Sequence, residues 1–253
     1  MSDTIVWISG ATAGLGTGFA PTCPHPGARL INLSRSEHPD MENQRLDLAD
    51  PATWDEVARH FDHELAAFSG RRVVFIHNAF LSVPPSFVGE GRRGDHVAEH
   101  TANFAGALAV GEAFVEAVVR HQPHLEAGLA LISSAAARIP WEGRAAYCAA
   151  KAGLEQWVRV VRRERRLRAT GPWVVAVRPG FVDSPGTRMD AEASAEDYPI
   201  GPMIARAFET MEGILTPEEA ARDIWSALPD GGPGESVLLF GAPPEGARGA
   251  TKL

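Results

Sequence analysis

Short apolar runs rich in β-branched residues recur along this chain, and the stretches between them are patterned as helices. The runs are Thr4–Ser9, Arg29–Ser34, Arg72–His77, Leu129–Ser133, Trp173–Val177 and Ser236–Phe240. Thr4–Ser9 lacks polar alternation, so it reads as a strand covered on both faces. Asp50–Phe68, Val97–Arg120 and Ala145–Arg168 carry the helical patterning. Parallel strands need crossovers of about a dozen residues or more, usually helical. The alternation therefore implies an α/β fold, a doubly wound parallel sheet of about seven strands with helices on both faces. A chain of 253 residues fits one such domain, and the motif order favours one over two. Asp183–Pro202 and Pro229–Glu235 read as loops, and the tail after Gly241 as frayed.

Directly after the first run comes Gly10-Ala11-Thr12-Ala13-Gly14-Leu15-Gly16. Side chains at the three glycines would block a tight strand-to-helix turn and keep the backbone, Thr12 and Leu15 included, away from a pyrophosphate at the helix N-terminus. Clustered glycines also occur in ordinary turns; their place after a buried strand is what favours a dinucleotide cradle. Pro21, Pro24 and Pro26 fall where the next helix should run, so a short or broken helix is expected. The second run ends in Ser34-Arg35, where an NAD site would place a carboxylate on the ribose 2′-hydroxyl. Arginine instead offers a planar fork suited to a 2′-phosphate, which favours NADP(H) over NAD, against the alternative of a solvated arginine. Asp47, followed by Leu48, is placed to accept from an adenine amino group or simply to open a helix.

Tyr147 and Lys151 stand four residues apart, on one face of the helix that starts near Arg144. A phenol must lose about three units from a pKa of about 10 to exchange protons near neutrality, which is about 4 kcal/mol. An ammonium about 4 Å away at an effective dielectric of about 20 supplies that much. One lysine is thus expected to tune the tyrosine. Ser134, at the end of the Leu129–Ser133 run, offers a hydroxyl to the same substrate oxygen. Cys148 points about 100° around the helix from its neighbour and reads as a spectator.

Taken together, these motifs resemble the short-chain dehydrogenase/reductase family over nearly the whole chain. The matching residues are Gly10, Gly14, Gly16, Asp47, Asn78-Ala79, Asn103, Ser134, Tyr147, Lys151 and Pro179-Gly180-Phe181-Val182. The resemblance implies a Rossmann-type sheet and hydride transfer from a nicotinamide to a carbonyl carbon. Tyr147 would protonate the oxygen and Ser134 orient it. Lys151 would hold the nicotinamide ribose and lower the tyrosine pKa, Asn103 would anchor a water joining Lys151 to solvent, and Val182 would meet the carboxamide through its backbone. The hydroxyl after Pro179-Gly180 is matched by Ser184 or by Thr187, with Ser184 preferred. Phe80, Trp141, Phe181, Tyr198, Met203 and Phe208 would border the tyrosine and line an apolar or aromatic pocket, under a lid at 184–211. Acidic residues in that lid, Asp190, Glu192, Glu196 and Asp197, would repel an anionic substrate.

Within the family, Ser34-Arg35, Tyr147-Cys148, Val182-Asp183 and Leu215-Thr216-Pro217-Glu218-Glu219 resemble the branch of sepiapterin reductase and benzil reductase. The implied activity is NADPH-dependent reduction of a ketone or diketone. An alcohol dehydrogenase running oxidatively and a non-catalytic NADP(H)-sensing protein are the alternatives. One departure bears on this: in His77-Asn78-Ala79-Phe80 a bulky ring replaces the family's usual glycine beside the cofactor.

Other function classes fit poorly. A net charge of -8 disfavours nucleic acid, whose binding is driven by lysines and arginines on phosphates. The arginine-rich run Arg159–Arg168 reads as a solvated helix end. Two cysteines, Cys23 and Cys148, make no disulfide framework and suggest the cytoplasm. The paired histidines lack further metal ligands, so no metal is expected. No apolar run approaches the roughly 18 residues of a membrane span, and no basic-then-apolar leader opens the chain. The resemblance implies a homodimer or homotetramer built on Val97–Arg120 and Ala145–Arg168.

Overall fold

The computed structural model describes residues 2–210 and 212–240. Strands β1 (Thr4–Ser9), β2 (Arg29–Ser34), β3 (Glu42–Arg45), β4 (Arg72–His77), β5 (Glu126–Ile132) and β6 (Trp173–Arg178) lie in one sheet. Two short strands, β7 (Phe181–Val182) and β8 (Ile214–Leu215), pair separately, and β9 (Val237–Leu239) closes the main sheet. The sheet has seven strands in the order β3-β2-β1-β4-β5-β6-β9, and every pairing is parallel. This is the doubly wound α/β arrangement expected from the sequence. The chain winds outward one way from β1 and the other way from β4, so the connections leaving these paired strands part at the C-terminal edge of the sheet, the usual position of the ligand crevice in such folds.

All six residues of β1 are buried, which explains its unbroken apolar run. On one face, helices α2 (Pro51–Ala67), α4 (Ala107–His121) and α5 (Ala145–Arg168) cover a core centred on Trp7, Phe61, Phe75 and Phe114. Their rings meet edge-on or tilted, with Trp7 and Phe61 centroids 5.4 Å apart and Phe61 and Phe75 5.3 Å apart. On the other face, α1 (Gly16–Phe19) and α8 (Pro217–Ser226) pack Phe19, Ile224 and Trp225 beneath the sheet.

Several elements differ from the sequence expectation. Strand β3 is polar because it is the solvent-facing edge of the sheet. Helix α1 is a single turn ending before Pro21, as the prolines required, and Gly18 lets it lie directly on α8: a Cβ there would sit 2.1 Å from the Pro217 carbonyl oxygen. The segment read as a loop carries α6 (Pro185–Glu192), started by Ser184 as N-cap with Pro185 in its first turn, and α7 follows at Gly201–Thr210. Helix α3 (Arg93–His100) runs through a π-helical turn, Thr101–Gly106, into α4. This continuous stretch, Arg93–His121, is long and apolar enough by composition to cross a membrane, contrary to expectation, but half of its apolar window is buried, with Val110, Phe114 and Val118 in the core. The tail after Gly241 lies outside the described residues.

Removing Phe61 from the aromatic core, by Phe61→Ala, should cost about 3–5 kcal/mol in urea unfolding. Val88→Ala, at a position 75% exposed, should change stability by no more than about 0.5 kcal/mol.

Candidate active site

The glycine loop lies at the mouth of the crevice. Gly10 has φ 69 and abuts Ala79, and a Cβ on Gly16 would meet the Gly10 carbonyl oxygen at 1.9 Å, so the turn closes only with glycine at both places. Gly14, with φ 52, faces Ser184, whose Cβ would be 2.9 Å from an added methyl. Gly14 thus packs directly on Ser184, and the same glycine turn carries Thr12 and Leu15, whose main-chain amides would meet a pyrophosphate. Ser184 and Thr187, the two candidates for one role, are a hydrogen-bonded pair with hydroxyls 2.8 Å apart; Ser184 faces the loop and caps α6 by accepting from the Thr187 amide. Pro179-Gly180, with Gly180 at φ 79, turns the chain from β6 into β7, which carries Val182.

Beside the loop, the Ser9 hydroxyl accepts from the amides of Asn78 and Ala79 at 3.0 Å and lies 3.0 Å from His77 Nδ1. Both of its lone pairs are engaged, so the hydroxyl proton goes to Nδ1 and the remaining imidazole proton sits on Nε2. Burial pushes His77 down to about 3, with Lys151 adding to the effect, and Nε2 has no partner among the described residues. Farther along the crevice, Arg35 is exposed and pairs with no described carboxylate, while the Ser34 hydroxyl donates to the Ser36 carbonyl. Asp47 accepts from the Ala49 amide with one oxygen, so it shapes the entry to α2, and Leu48 is buried.

Helix α5 presents Tyr147 and Lys151 on the same side. The Lys151 ammonium lies over the Tyr147 ring, 5.5 Å from its centroid, and donates to the Ile132 carbonyl, the last of β5, at 2.7 Å. Burial lowers Lys151 to about 8, with Glu99 opposing. Burial also dominates Tyr147, pushing the phenol up to about 12; Ser134 and Arg144 pull it down, and Asp190 and Glu99 add to the rise. The expected acidifying effect of Lys151 is therefore not what governs the phenol in the free chain. Loss of hydration costs the phenolate more than the surrounding cations return. Ser134 follows β5 and also caps the short turn Ala135–Ala137 by accepting from Ala136. Asn103 sits in the π-helical turn, where its amide clamps Leu81, accepting from its N–H at 2.7 Å and donating to its carbonyl at 2.8 Å. This two-point clamp fixes the π-helical turn against the segment that follows β4.

One aromatic ring stands beside the tyrosine and a stacked pair lies elsewhere in the expected wall. Phe80, 43% exposed, lies 6.2 Å from the Tyr147 ring and 5.8 Å from the Lys151 ammonium, with its tip against Gly186. Trp141 and Phe181 stand nearly parallel, 7° between planes and 6.2 Å between centroids. Met203 is half-buried on α7. Tyr198 departs from its expected place in the pocket wall: it is wholly buried, with the Arg144 guanidinium 5.6 Å over its ring. Arg144 itself is buried, donates to the Val83 carbonyl and to Asp190, and lies 4.0 Å from Glu99. This cluster escaped the sequence reading. Its only signal was an arginine three residues before the tyrosine.

Residues 4–197 match the family described as short chain dehydrogenase. Benzil reductase ((S)-benzoin forming) of Bacillus subtilis is 23% identical over 198 residues, 76% of this chain and 79% of the relative. A short chain dehydrogenase of Burkholderia cenocepacia, solved in complex with NADP, superposes with a TM-score of 0.71 at 21% identity, covering 95% of this chain and 89% of the other. A variant of actinorhodin polyketide ketoreductase, solved with NADPH, gives 0.74 at 18% identity, with 94% and 95% covered.

Glu99 provides a pH test of the cluster. Burial raises its carboxyl from the ordinary 4.5 to about 7, against the pull of Arg144. The protonated form is the one the fold favours, so Glu99's contribution is whole below 4.5 and is lost as pH rises through about 7. Urea unfolding across that window should show Glu99→Gln losing less stability with rising pH than the native chain; parallel curves would contradict the assignment.

Proposed function

The chain belongs to the short-chain dehydrogenase family, and from that premise we propose that it reduces a ketone or diketone carbonyl to an alcohol with NADPH, using Tyr147 as general acid. The observation that carries the reading is the convergence of Tyr147, Lys151 and Ser134 at the C-terminal end of β5, with the glycine loop opening into the same crevice. Bound NADPH would supply the hydride. The protein's own groups do the rest. A phenol near 12 stays protonated at neutral pH, as a proton donor must, and gives its proton to the carbonyl oxygen as negative charge develops there. Ser134 holds the same oxygen by a hydrogen bond, and Lys151 and Arg144 steady the phenolate left behind.

Arg35 supports the choice of NADPH, since it is free to grip a 2′-phosphate where a carboxylate would select NAD. Phe80 and the parallel Trp141 and Phe181 support an apolar or aromatic substrate. The exposed side chains of Val97, Phe104 and Val160, on α3, the π-helical turn and α5, support a homo-oligomer.

In assays on a panel of ketones and diketones, Tyr147→Phe should lower kcat by about a hundredfold or more while NADPH binding, followed by its fluorescence, holds. Equal turnover by the two proteins would refute the role. Arg35→Asp should move preference from NADPH toward NADH, and unchanged preference would remove arginine as the selector. A second reading, a non-catalytic NADPH sensor, draws on Phe80, whose ring covers Lys151. Tight NADPH binding without turnover of any carbonyl would favour it.

A further inference from the structure

At the other end of the sheet, where β5 and β6 begin and α5 ends, a cleft of about 550 Å³ opens between Arg162, Arg165, Arg166, Gly171, Trp173 and the loop around Pro233. It is remote from the site above: Arg165 stands eighteen residues along α5 from Tyr147, about 27 Å at 1.5 Å per residue. Arginines gathered here in a chain of net charge -8 call for a cause. Neutralising the negative end of α5 is one, and it explains their presence.

It does not explain how they are engaged. Arg162 is spent on carbonyls, donating to Val174 at 2.8 Å, Pro233 at 3.0 Å and Gly234 at 2.8 Å. Arg165 is half-buried and its Nε is closed off from solvent with no partner among the described residues. Its chain lies along the turn at Gly171, where an added Cβ would be 3.2 Å from Arg165 Cδ. Arg166 is exposed, and neither it nor Arg165 pairs with a described carboxylate. The one carboxylate in the wall, Glu126, already accepts from Trp173 Nε1 and the Gly231 amide, each at 3.0 Å. Burial and then Arg166 push the pKa of Arg162 down, with Glu235 opposing. The outer guanidinium nitrogens of Arg165 and Arg166 make no hydrogen bond among the described residues either, and an anion in the cleft would give them charge-assisted acceptors.

We propose that this cleft binds a phosphate-type anion, with Arg165 and Arg166 as its ligands and Arg162 as the fixed support behind them. Planar guanidinium forks match phosphate oxygens, and the proline, glycine and Trp173 walls leave room for an organic group on a phosphate ester. The site does not depend on the reductase reading.

Calorimetric titration with inorganic phosphate and with phenyl phosphate, at one ionic strength, tests it. Arg35→Gln serves as the control for phosphate entering the cofactor crevice. Binding at the cleft should persist in Arg35→Gln, which removes only the cofactor-side phosphate ligand, and should be at least about tenfold weaker in Arg165→Gln. Arg166→Gln, at an exposed position whose loss leaves packing intact, should also weaken binding. Tighter binding of phenyl phosphate would identify an ester as the ligand and equal affinities the free ion; both sustain the site. No binding by the native chain at millimolar phosphate overturns the proposal. So does loss in Arg35→Gln with both cleft variants unchanged.

Discussion

The hydrogen bond from Lys151 to the last carbonyl of β5 fixes where α5 sets down its tyrosine and lysine. It seats α5 against the end of the sheet, and Tyr147, one turn earlier, is carried into the crevice between β1 and β4. One turn later the same face carries Glu155, almost wholly buried, which accepts from Ser133 at 2.9 Å and from Arg178 at 2.6 and 2.7 Å. Successive turns of α5 thus tie it to the ends of β5 and β6. A buried carboxylate satisfied by a hydroxyl and a two-point arginine has the geometry that makes burial tolerable, so the helix has little freedom to rotate its tyrosine away.

Placing the pair in a dry setting decides its electrostatics. Both the phenol and the ammonium are pushed toward their neutral forms by the same loss of water. The free chain therefore holds Tyr147 as a phenol rather than a pre-formed phenolate, the form the proposed proton donor needs. The charges that modulate it come from three directions: Arg144 on the threshold of α5, Glu99 on α3 and Asp190 on α6. Since Asp190 belongs to the segment expected to act as a lid, the ion pair with Arg144 joins that segment directly to the start of α5.

Much of this was legible in the sequence because it is local. Buried parallel strands announce themselves as apolar runs, and β1, β2 and β4 fall where those runs do. The four-residue spacing of Tyr147 and Lys151 fixes their common face by helix geometry alone. Polar β3 was invisible, since an edge strand needs no apolar residues. Helices α6 and α7 were masked by prolines and glycines that in fact start them or pack beside them. The sign of the net effect on Tyr147 was out of reach for a different reason. Sequence shows the neighbouring cation, but the lost hydration depends on groups, Phe80 among those near the ring, that only the tertiary fold brings together. Tyr198 was misplaced likewise, since nothing local shows that it closes over Arg144.

The phenol's ionisation can be observed directly, because the chain has two tyrosines, Tyr147 and Tyr198. In the free protein labelled with carbon-13 at the tyrosine Cζ, the resonance lost in Tyr147→Phe reports Tyr147. At pH about 10, where a solvated phenol is about half ionised, it should still show the protonated form. Ionisation already at pH about 9 or below would mean that cations, and not burial, govern this tyrosine.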